Sequence, residues 1–200
     1  MQWRPLAWFL VIAAALQGSV GTQKPAKDAQ PEQTAFGADW GPGQAFMEKP
    51  VEIPVGALQV VRDTLHRGVV NCLNGHSITP EQAPASWFAA SEIHLDGLEE
   101  VDLIVQPNLP KIVAHDVPLG EGAGCLLGAN VGPFWVIRRN ASGRYGLLLE
   151  TYALGLVVLD SRANFYRDIQ TVASTATTRT TVLYKMAVAQ YQIAEKKTEP

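Results

Sequence analysis

The chain has 200 residues, which is enough for one ordinary domain with a tail, and 47% of them are hydrophobic. Its sixteen basic and nineteen acidic residues give a net charge of −3. This balance excludes a nucleic-acid binder, because such a protein neutralises phosphates with clustered Lys and Arg side chains, and no such cluster occurs. No long basic amphipathic helix is visible either, so the composition gives no support to a membrane-surface role.

Residues 1–21 have the composition of a secretory signal peptide. Arg4 supplies a positive end, residues 5–16 form an apolar run, and residues 19–21 are mostly small, as a signal peptidase requires. The run is shorter than the roughly 20 residues of a membrane-spanning helix, which favours a cleaved signal over an uncleaved N-terminal anchor. We therefore predict an exported protein, periplasmic or extracellular, that has no membrane span after signal cleavage.

Residues 22–50 are predicted to be a disordered linker. The segment is rich in Pro, Gly and Gln and lacks an apolar period, so it cannot bury enough surface to offset the entropy of ordering. Phe36, Trp40 and Phe46 are the exceptions, and they either dock on the domain or form a short partner-binding segment. The remaining residues, 51–200, are predicted to form a single α+β domain.

A helix is predicted to begin at Pro54 and to end at Asn74 and Gly75. Apolar residues recur at steps of three and four along it, which places them on one face: Leu58, Val61, Leu65, Val69 and Cys72. Asn and Gly tolerate a positive φ, and so they are expected to stop the helix. A few residues later, Thr79 and Gln82 have the spacing of a short capping box.

Beyond Trp87 the pattern changes to short β-strands, which are rich in Val, Ile, Leu and aromatic residues and are separated by Gly, Asn, Asp or Ser. The predicted strands are 91–95, 101–106, 111–115, 125–128, 134–139, 145–151, 155–159, 166–173, 180–188 and 191–194. Residues 140–143, Asn-Ala-Ser-Gly, predict a hairpin between two of them. Such short connections favour antiparallel neighbours. The predicted fold class is therefore α+β, with an N-terminal helix packed on a mainly antiparallel, meander-like β-sheet of short strands.

Cys72 and Cys125 are the two cysteines of the chain. An even pair in an exported protein indicates a disulfide. Both residues have apolar neighbours in the sequence, so two buried, unpaired thiols are the alternative. A catalytic cysteine is less favoured, since no partner histidine is identifiable from the spacing.

Residues 92–105 read Glu-Ile-His-Leu-Asp-Gly-Leu-Glu-Glu-Val-Asp-Leu-Ile-Val. This segment resembles the strand–acidic turn–strand unit of FG-GAP (integrin-like) repeats, in which an Asp-rich turn wraps a calcium ion. Asp102 then matches the closing acid, and Asp96 stands where an Asn is expected. His94 and Leu98 replace two of the about six to eight oxygen ligands that calcium prefers. The resemblance implies a turn that keeps the fold and has lost its ion, with calcium binding as the alternative. The residues of this loop at or near the metal-ligand positions are His94, Asp96, Glu99 and Asp102.

Three later segments are Cys-Leu-Leu-Gly-Ala-Asn at 125–130, Gly-Pro-Phe-Trp-Val at 132–136 and Phe-Tyr-Arg-Asp-Ile at 165–169. They resemble uncharacterised exported bacterial proteins that are β-rich and combine a single degenerate FG-GAP-like turn with a Phe-Trp strand and an Arg-Asp-Ile strand. The resemblance implies an envelope or extracellular β-rich domain. It implies no reaction.

Four residues of these segments are candidates for ligand binding: Phe134, Trp135, Tyr166 and Arg167. Adjacent strand residues face opposite sides, so only one of Phe134 and Trp135 faces the main core, and the other is either covered by a second layer or exposed. An exposed ring there would contact the ligand. By the same alternation, one of Arg167 and Asp168 is expected to point inward, where a buried charge needs a partner.

Catalytic motifs are missing from the sequence beyond residue 21. The four histidines never have a zinc-binding spacing, and neither Gly-x-Ser-x-Gly nor Ser-x-x-Lys occurs. The leading hypothesis is an exported non-catalytic domain that binds an envelope or extracellular protein or glycan and needs no cofactor. The alternatives are a hydrolase that acts on envelope polymers with the acids of the 92–102 loop, and a structural domain that self-associates through an exposed sheet edge.

Overall fold

The fold consists of three layers: short helices, a central sheet and an outer sheet. The computed structural model describes residues 34–36, 50–97, 101–128 and 131–200, and all of them belong to one compact unit. In chain order, the strands and helices are β1 (Thr34–Phe36), β2 (Pro50–Val51), α1 (Val55–Asp63), α2 (Arg67–Gly75), β3 (Phe88–Ile93), β4 (Asp102–Pro107), α3 (Leu109–Val113), α4 (Gly120–Ala123), β5 (Gly132–Arg139), β6 (Tyr145–Ala153), β7 (Gly155–Ala163), β8 (Tyr166–Ser174), β9 (Arg179–Ala187) and β10 (Gln190–Glu199). Short 3-10 turns lie at Pro80–Gln82, Ala85–Trp87 and Gly124–Leu126.

Each sheet contains four long strands and one strand of two or three residues at an edge. The central sheet has the order β2-β3-β4-β5-β6, and the outer sheet has the order β1-β7-β8-β9-β10. All neighbouring strands are antiparallel. The prediction of a β-rich, antiparallel fold is confirmed, but the strands form two sheets where the sequence suggested one.

Two of the predicted strands are wrong. Residues 111–115 lie largely in α3, whose first turn contains Pro110, a residue already suited to the start of a helix. Residues 125–128 overlap the 3-10 turn Gly124–Leu126. In both places a short apolar run has the same appearance in a strand and in a buried helical turn, so periodicity alone does not separate the two.

The predicted helix from Pro54 is interrupted near its middle. α1 ends where the Thr64 hydroxyl donates to the carbonyl oxygen of Val60 at 2.8 Å, and His66 then adopts φ −55° and ψ 143°. The Nδ1 atom of His66 accepts a hydrogen bond from the backbone N–H of Gly68 at 3.0 Å and so caps α2. The predicted apolar stripe nevertheless continues across the break, because four of its members are buried: Leu58, Val61, Leu65 and Val69.

The end of α2 agrees with the predicted stop, but the positive φ lies further along the chain. The helix runs through Gly75, and the residue with a positive φ is Ser77, at 58°, instead of Asn74 or Gly75. The capping box that follows is confirmed, since the backbone N–H of Thr79 donates to Oε1 of Gln82 at 2.7 Å.

Both faces of the central sheet are covered, so each face borders a hydrophobic core. The helix-side core contains Trp135, whose ring lies edge-on to Phe88 at a centroid distance of 5.9 Å. The inter-sheet core contains Phe134. Both Phe134 and Trp135 are 0% exposed. Helices therefore cover the face of the central sheet that carries Trp135, and the outer sheet covers the face that carries Phe134. Neither ring can contact a ligand at the surface of this structure.

The disulfide is confirmed. The Sγ atoms of Cys72 and Cys125 are 2.04 Å apart, and their Cα atoms are 5.7 Å apart. The bond joins the last turn of α2 to the 3-10 turn Gly124–Leu126 and spans 53 residues of sequence. On the chain-entropy model, closing a loop of this length contributes about 4 kcal/mol to the free energy of unfolding.

The predicted signal peptide, residues 1–21, lies outside the described residues. Within the predicted linker 22–50, the structure describes Thr34–Phe36 as β1, paired with β7, and Pro50 as the first residue of β2. The rest of this segment lies outside the described residues, and the linker stays a prediction. Among the residues that the structure describes, no helix has both the length and the apolar composition needed to cross a membrane.

Candidate binding cleft

The two aspartates of the 92–102 loop form a buried ion-pair network with Arg138. Asp102 and Arg138 are directly opposite each other on β4 and β5. The Nε and Nη2 atoms of Arg138 donate to Oδ1 and Oδ2 of Asp102 at 2.7 and 2.8 Å, and Nη2 also lies 2.9 Å from Oδ2 of Asp96. The side chains of Asp102 and Asp96 are 0% and 3% exposed. These acids are therefore held inside the protein and do not face a substrate.

Tyr166 completes this network from the outer sheet. The guanidinium carbon of Arg138 lies 4.5 Å from the centroid of the Tyr166 ring, and Nη1 of Arg138 donates to the Tyr166 hydroxyl oxygen. A cation stacked on an aromatic face is attracted to it electrostatically. Tyr166, a predicted binding residue, is thus occupied by a contact between the two sheets.

Burial and pairing act in opposite directions on the charges of this network. Burial raises the pKa of the Asp102 carboxyl, although the hydrogen bonds and the charge of Arg138 lower it in part. Burial alone would lower the pKa of Arg138, but the hydrogen bonds and charge of Asp102 raise it. The guanidinium therefore stays charged and is the compensating cation for both carboxylates.

This network bears on the calcium hypothesis. Arg138 supplies, beside Asp96 and Asp102, the positive charge that a metal ion would otherwise supply. His94 is exposed, and Glu99 lies outside the described residues. The loss of calcium from this loop stays a prediction, and the position of Arg138 gives it a physical reason.

Arg167 has a structural role at an irregularity of the outer sheet. The pairing of β7 with β8 shifts register between Val158 and Arg162. Nε of Arg167 donates to the carbonyl oxygen of Leu159 at 2.9 Å, and its Nη2 lies 3.0 Å from Oδ1 of Asp160. A shift of register leaves backbone carbonyls without their usual N–H donors, and the Arg167 guanidinium donates a hydrogen bond to one of them.

The expectation that one charge of the Arg167–Asp168 pair is buried with a partner is confirmed for Asp168. Its side chain is 1% exposed. Oδ2 of Asp168 accepts a hydrogen bond from the Ser161 hydroxyl at 2.7 Å and lies 3.8 Å from Nζ of Lys185. Neither Arg167 nor Asp168 therefore presents a free charge to a ligand.

An open cleft lies instead beside the β5–β6 hairpin. It has a volume of about 670 Å³ and is lined by both polar and apolar groups, among them Glu52, Glu92, Leu103, Arg139, Asn140 and Tyr145. We call it the hairpin cleft. The side chains of Glu52, Glu92 and Arg139 are exposed, whereas Leu103 is buried beneath them.

The hairpin wall of this cleft is closed by hydrogen bonds to one side chain. Oδ1 of Asn140 accepts hydrogen bonds from the backbone N–H groups of Ser142 and Arg144 at 3.1 and 3.0 Å, and Gly143 takes a φ of 79°. The hairpin predicted at residues 140–143 is thus confirmed, and it holds Arg139 at the rim of the cleft.

The lining of the cleft also includes Pro54, the residue just before α1, and Tyr145. A Cβ atom at Gly56 would lie 2.7 Å from Cδ2 of Tyr145, so the absence of a side chain at Gly56 lets the Tyr145 ring pack on the first turn of α1. Tyr145 is half-buried and borders the helix-side core. The cleft therefore combines an aromatic and aliphatic floor with charged groups at its rim.

Sequence reasoning missed most of this cleft. Glu92 belongs to the acidic loop, and no local pattern connects it with Glu52 and Arg139, which come from separate segments. The signal that could have found Arg139 is its position next to Arg138, since alternation on a strand forces the two side chains to opposite faces.

Compared with known proteins, the chain matches no protein-family model, no curated protein and no solved structure. The resemblance to FG-GAP repeats is therefore still a prediction.

Proposed function

We propose that this chain is an exported, non-catalytic domain that binds an envelope or extracellular protein or glycan in the hairpin cleft. The proposal of export is supported by the disulfide, since such bonds persist in oxidising compartments, and by the composition of residues 1–21. The proposal of binding is supported by the cleft.

One observation carries the binding proposal: Glu52, Glu92 and Arg139 are exposed around a single cleft. Two carboxylates accept hydrogen bonds and one guanidinium donates them, so together they complement hydroxyl-rich or charged ligands. Leu103 and Tyr145 add an apolar floor on which a sugar ring or a peptide side chain can pack. A cleft of about 670 Å³ also falls within the size range of ordinary ligand sites.

A hydrolase is the alternative, and the structure changes which acids it would need. Asp96 and Asp102 are bonded to Arg138 inside the protein, so they do not serve as acid and base. Glu92, from the same loop, and Glu52 share the cleft, which is the observation that favours this alternative. Both are exposed, whereas the general acid of a glycosidase is typically kept protonated by an apolar environment.

The test is a comparison of two double variants of equal net charge. Glu92→Ala with Arg139→Ala removes charges from the cleft, and Arg179→Ala with Glu195→Ala removes them from exposed positions of the outer sheet. Each purified protein is immobilised and exposed to an envelope extract and to a mixture of soluble cell-wall glycan fragments. We expect the wild type and the outer-sheet variant to retain the same protein or glycan, and the cleft variant to lose at least about tenfold in affinity, as expected when charged contacts are removed.

Equal retention by both double variants would contradict the cleft as the binding site. Release of soluble sugars from envelope polymer by the wild type, but not by Glu92→Gln, would instead favour the hydrolase. The two readouts are independent, so binding without turnover and turnover without retention are distinguishable.

A further inference from the structure

A second cluster of chemically reactive side chains lies around the disulfide, away from the residues of the hairpin cleft. The possible ligand atoms of Cys72, His76 and Cys125 all lie within 4.8 Å of one another. Two thiolates and an imidazole nitrogen are donors that zinc prefers, and here the two sulfurs are joined in the disulfide. No zinc-binding spacing in the chain includes His76, because Cys125, the third donor, is far away in the sequence.

The end of α2 brings His76 back beside Cys72. The backbone N–H of Ile78 donates to the carbonyl oxygen of Leu73 at 3.0 Å, and Ser77 adopts a left-handed φ of 58° between them. This turn closes the helix C-terminus. The backbone of His76, four residues after Cys72, is therefore held beside the last turn of α2.

The neighbouring α4 offers a fourth donor. Oε2 of Glu121 lies 3.9 Å from Nδ1 of His76, and the Glu121 side chain is 93% exposed, so it is able to reorient. Both residues also line a small surface cavity of about 260 Å³. Two thiolates, one imidazole and one carboxylate complete the four-coordinate arrangement that is usual for zinc.

We infer that this corner is a zinc site when the disulfide is reduced: Cys72, Cys125, His76 and Glu121 bind one zinc ion, and oxidation to the disulfide releases it. A reductant of the dithiol class is oxidised to its own disulfide and delivers two electrons and two protons, which break the S–S bond and form two thiols. Zinc then displaces the two thiol protons to solvent. Reoxidation by a disulfide reverses both steps.

The backbone does not need to move for this exchange. Zinc–sulfur bonds of about 2.3 Å in a tetrahedron require the two sulfurs to be about 3.7 Å apart. The Cα atoms of Cys72 and Cys125 are already 5.7 Å apart, so rotation of the two side chains is sufficient. Cys72 also lies in the last turn of α2, where the helix end carries partial negative charge, and a cation compensates two thiolates there.

The test uses the full chain with Co²⁺ as a spectroscopic probe and Zn²⁺ as the competitor. The disulfide is reduced with a phosphine, which does not leave a competing dithiol in solution. We expect the reduced wild type to bind one equivalent of Co²⁺ with thiolate charge-transfer bands and tetrahedral visible bands, and Zn²⁺ to displace it. The oxidised protein should show neither.

Variants separate this site from adventitious binding by thiols. Loss of an outer-shell partner alone weakens metal sites by about 10- to 100-fold, so His76→Ala is expected to weaken Zn²⁺ binding at least tenfold and Glu121→Gln by less. His115→Asn is the matched control, because His115 is exposed, lies outside the cluster and has a left-handed φ of 56° that Asn tolerates. It should bind zinc as the wild type does.

Equal zinc affinity in the wild type and His76→Ala would overturn the inference, as would a reduced wild type without tetrahedral cobalt bands. Circular dichroism of the reduced protein is recorded alongside. A chain that loses its β-sheet signal on reduction also overturns the inference, because the four donors meet only in the folded corner.

Discussion

Arg138 and Arg139 are adjacent on β5 and have the same side chain, but they occupy two different regions of the molecule. Arg138 continues the face of β5 that carries Phe134 into the inter-sheet core, and its side chain is 14% exposed. Arg139 continues the face that carries Trp135, reaches the rim of the hairpin cleft and is exposed. Arg138 contacts the Tyr166 ring of the outer sheet, whereas Arg139 is exposed at the rim of the cleft.

The comparison shows that residue type alone does not tell whether a charged side chain of this protein is buried in an ion pair or exposed at the cleft. The loop acids that looked most like a functional site, Asp96 and Asp102, belong to the interior with Arg138. Glu92, from the same segment, belongs to the cleft with Arg139. Alternation along neighbouring antiparallel strands divides the charges between a structural and an exposed set.

The largest expected effect comes from removing each arginine in turn. Arg138→Met should lower the free energy of unfolding by about 3–5 kcal/mol at neutral pH, because it leaves buried carboxylates without a compensating charge. Arg139→Met, the matched control, should change it by less than about 0.5 kcal/mol. Urea denaturation measures both. Equal losses in the two variants would break the distinction between the regions.

The pH dependence of stability should separate Asp102 from Glu92. Burial raises the pKa of Asp102 in the folded state, so the folded protein holds this proton to higher pH than the unfolded chain does. The stabilisation is present below the unfolded pKa and is lost as the pH rises through the folded pKa, by about 1.4 kcal/mol for each unit of difference.

Urea denaturation between pH 3 and pH 7, roughly the range over which aspartate titrates, tests this sign. Asp102→Asn should remove that segment of the stability curve, whereas Glu92→Gln should retain it. A wild-type contribution from Asp102 that increases with pH would show that pairing with Arg138 outweighs burial.

A smaller effect is expected from Tyr191, which lies in the inter-sheet core. Its hydroxyl donates to the carbonyl oxygen of Arg167 at 2.6 Å, so Tyr191→Phe should cost about 1 kcal/mol at pH 7. Burial raises the pKa of Tyr191, and the wild type should therefore lose stability as the pH rises above about 10, where the unfolded tyrosine ionises.

Tyr191→Phe should flatten this alkaline loss. Tyr145→Phe, in the cleft, is the comparison at pH 7 and should cost less. An alkaline profile that is the same in the wild type and Tyr191→Phe would contradict the assigned sign.

The smallest expected effect is that of calcium. Because Arg138 already compensates Asp96 and Asp102, millimolar calcium should leave the melting temperature of the wild type the same as in chelator. A ligand that binds only the folded state raises the melting temperature, so a rise of several degrees would show that the loop retains its ion. In Arg138→Met, a calcium-dependent rise would sharpen the comparison, because it would show that the guanidinium excludes the ion.

Several features of the fold followed from residues that are near one another in the chain. The Asn140–Gly143 hairpin and the Thr79–Gln82 capping box are local, and both are confirmed. The break at Thr64 and His66 was missed, because the apolar stripe continues through it and a side chain decides the interruption. The cleft was missed for a different reason: Glu52, Glu92 and Arg139 come from three separate segments.

Most of the short strands, the hairpin and the alternation of side chains between the two faces of β5 follow from local sequence, since they depend on neighbours a few residues away. Long-range packing divides the strands into two sheets and buries both Phe134 and Trp135. It also decided that Arg138 and not Arg139 neutralises the acids, and that His76 meets the disulfide. These outcomes depend on which surfaces pack together over long sequence separations. Many arrangements bury similar apolar area, and the local sequence pattern does not distinguish them.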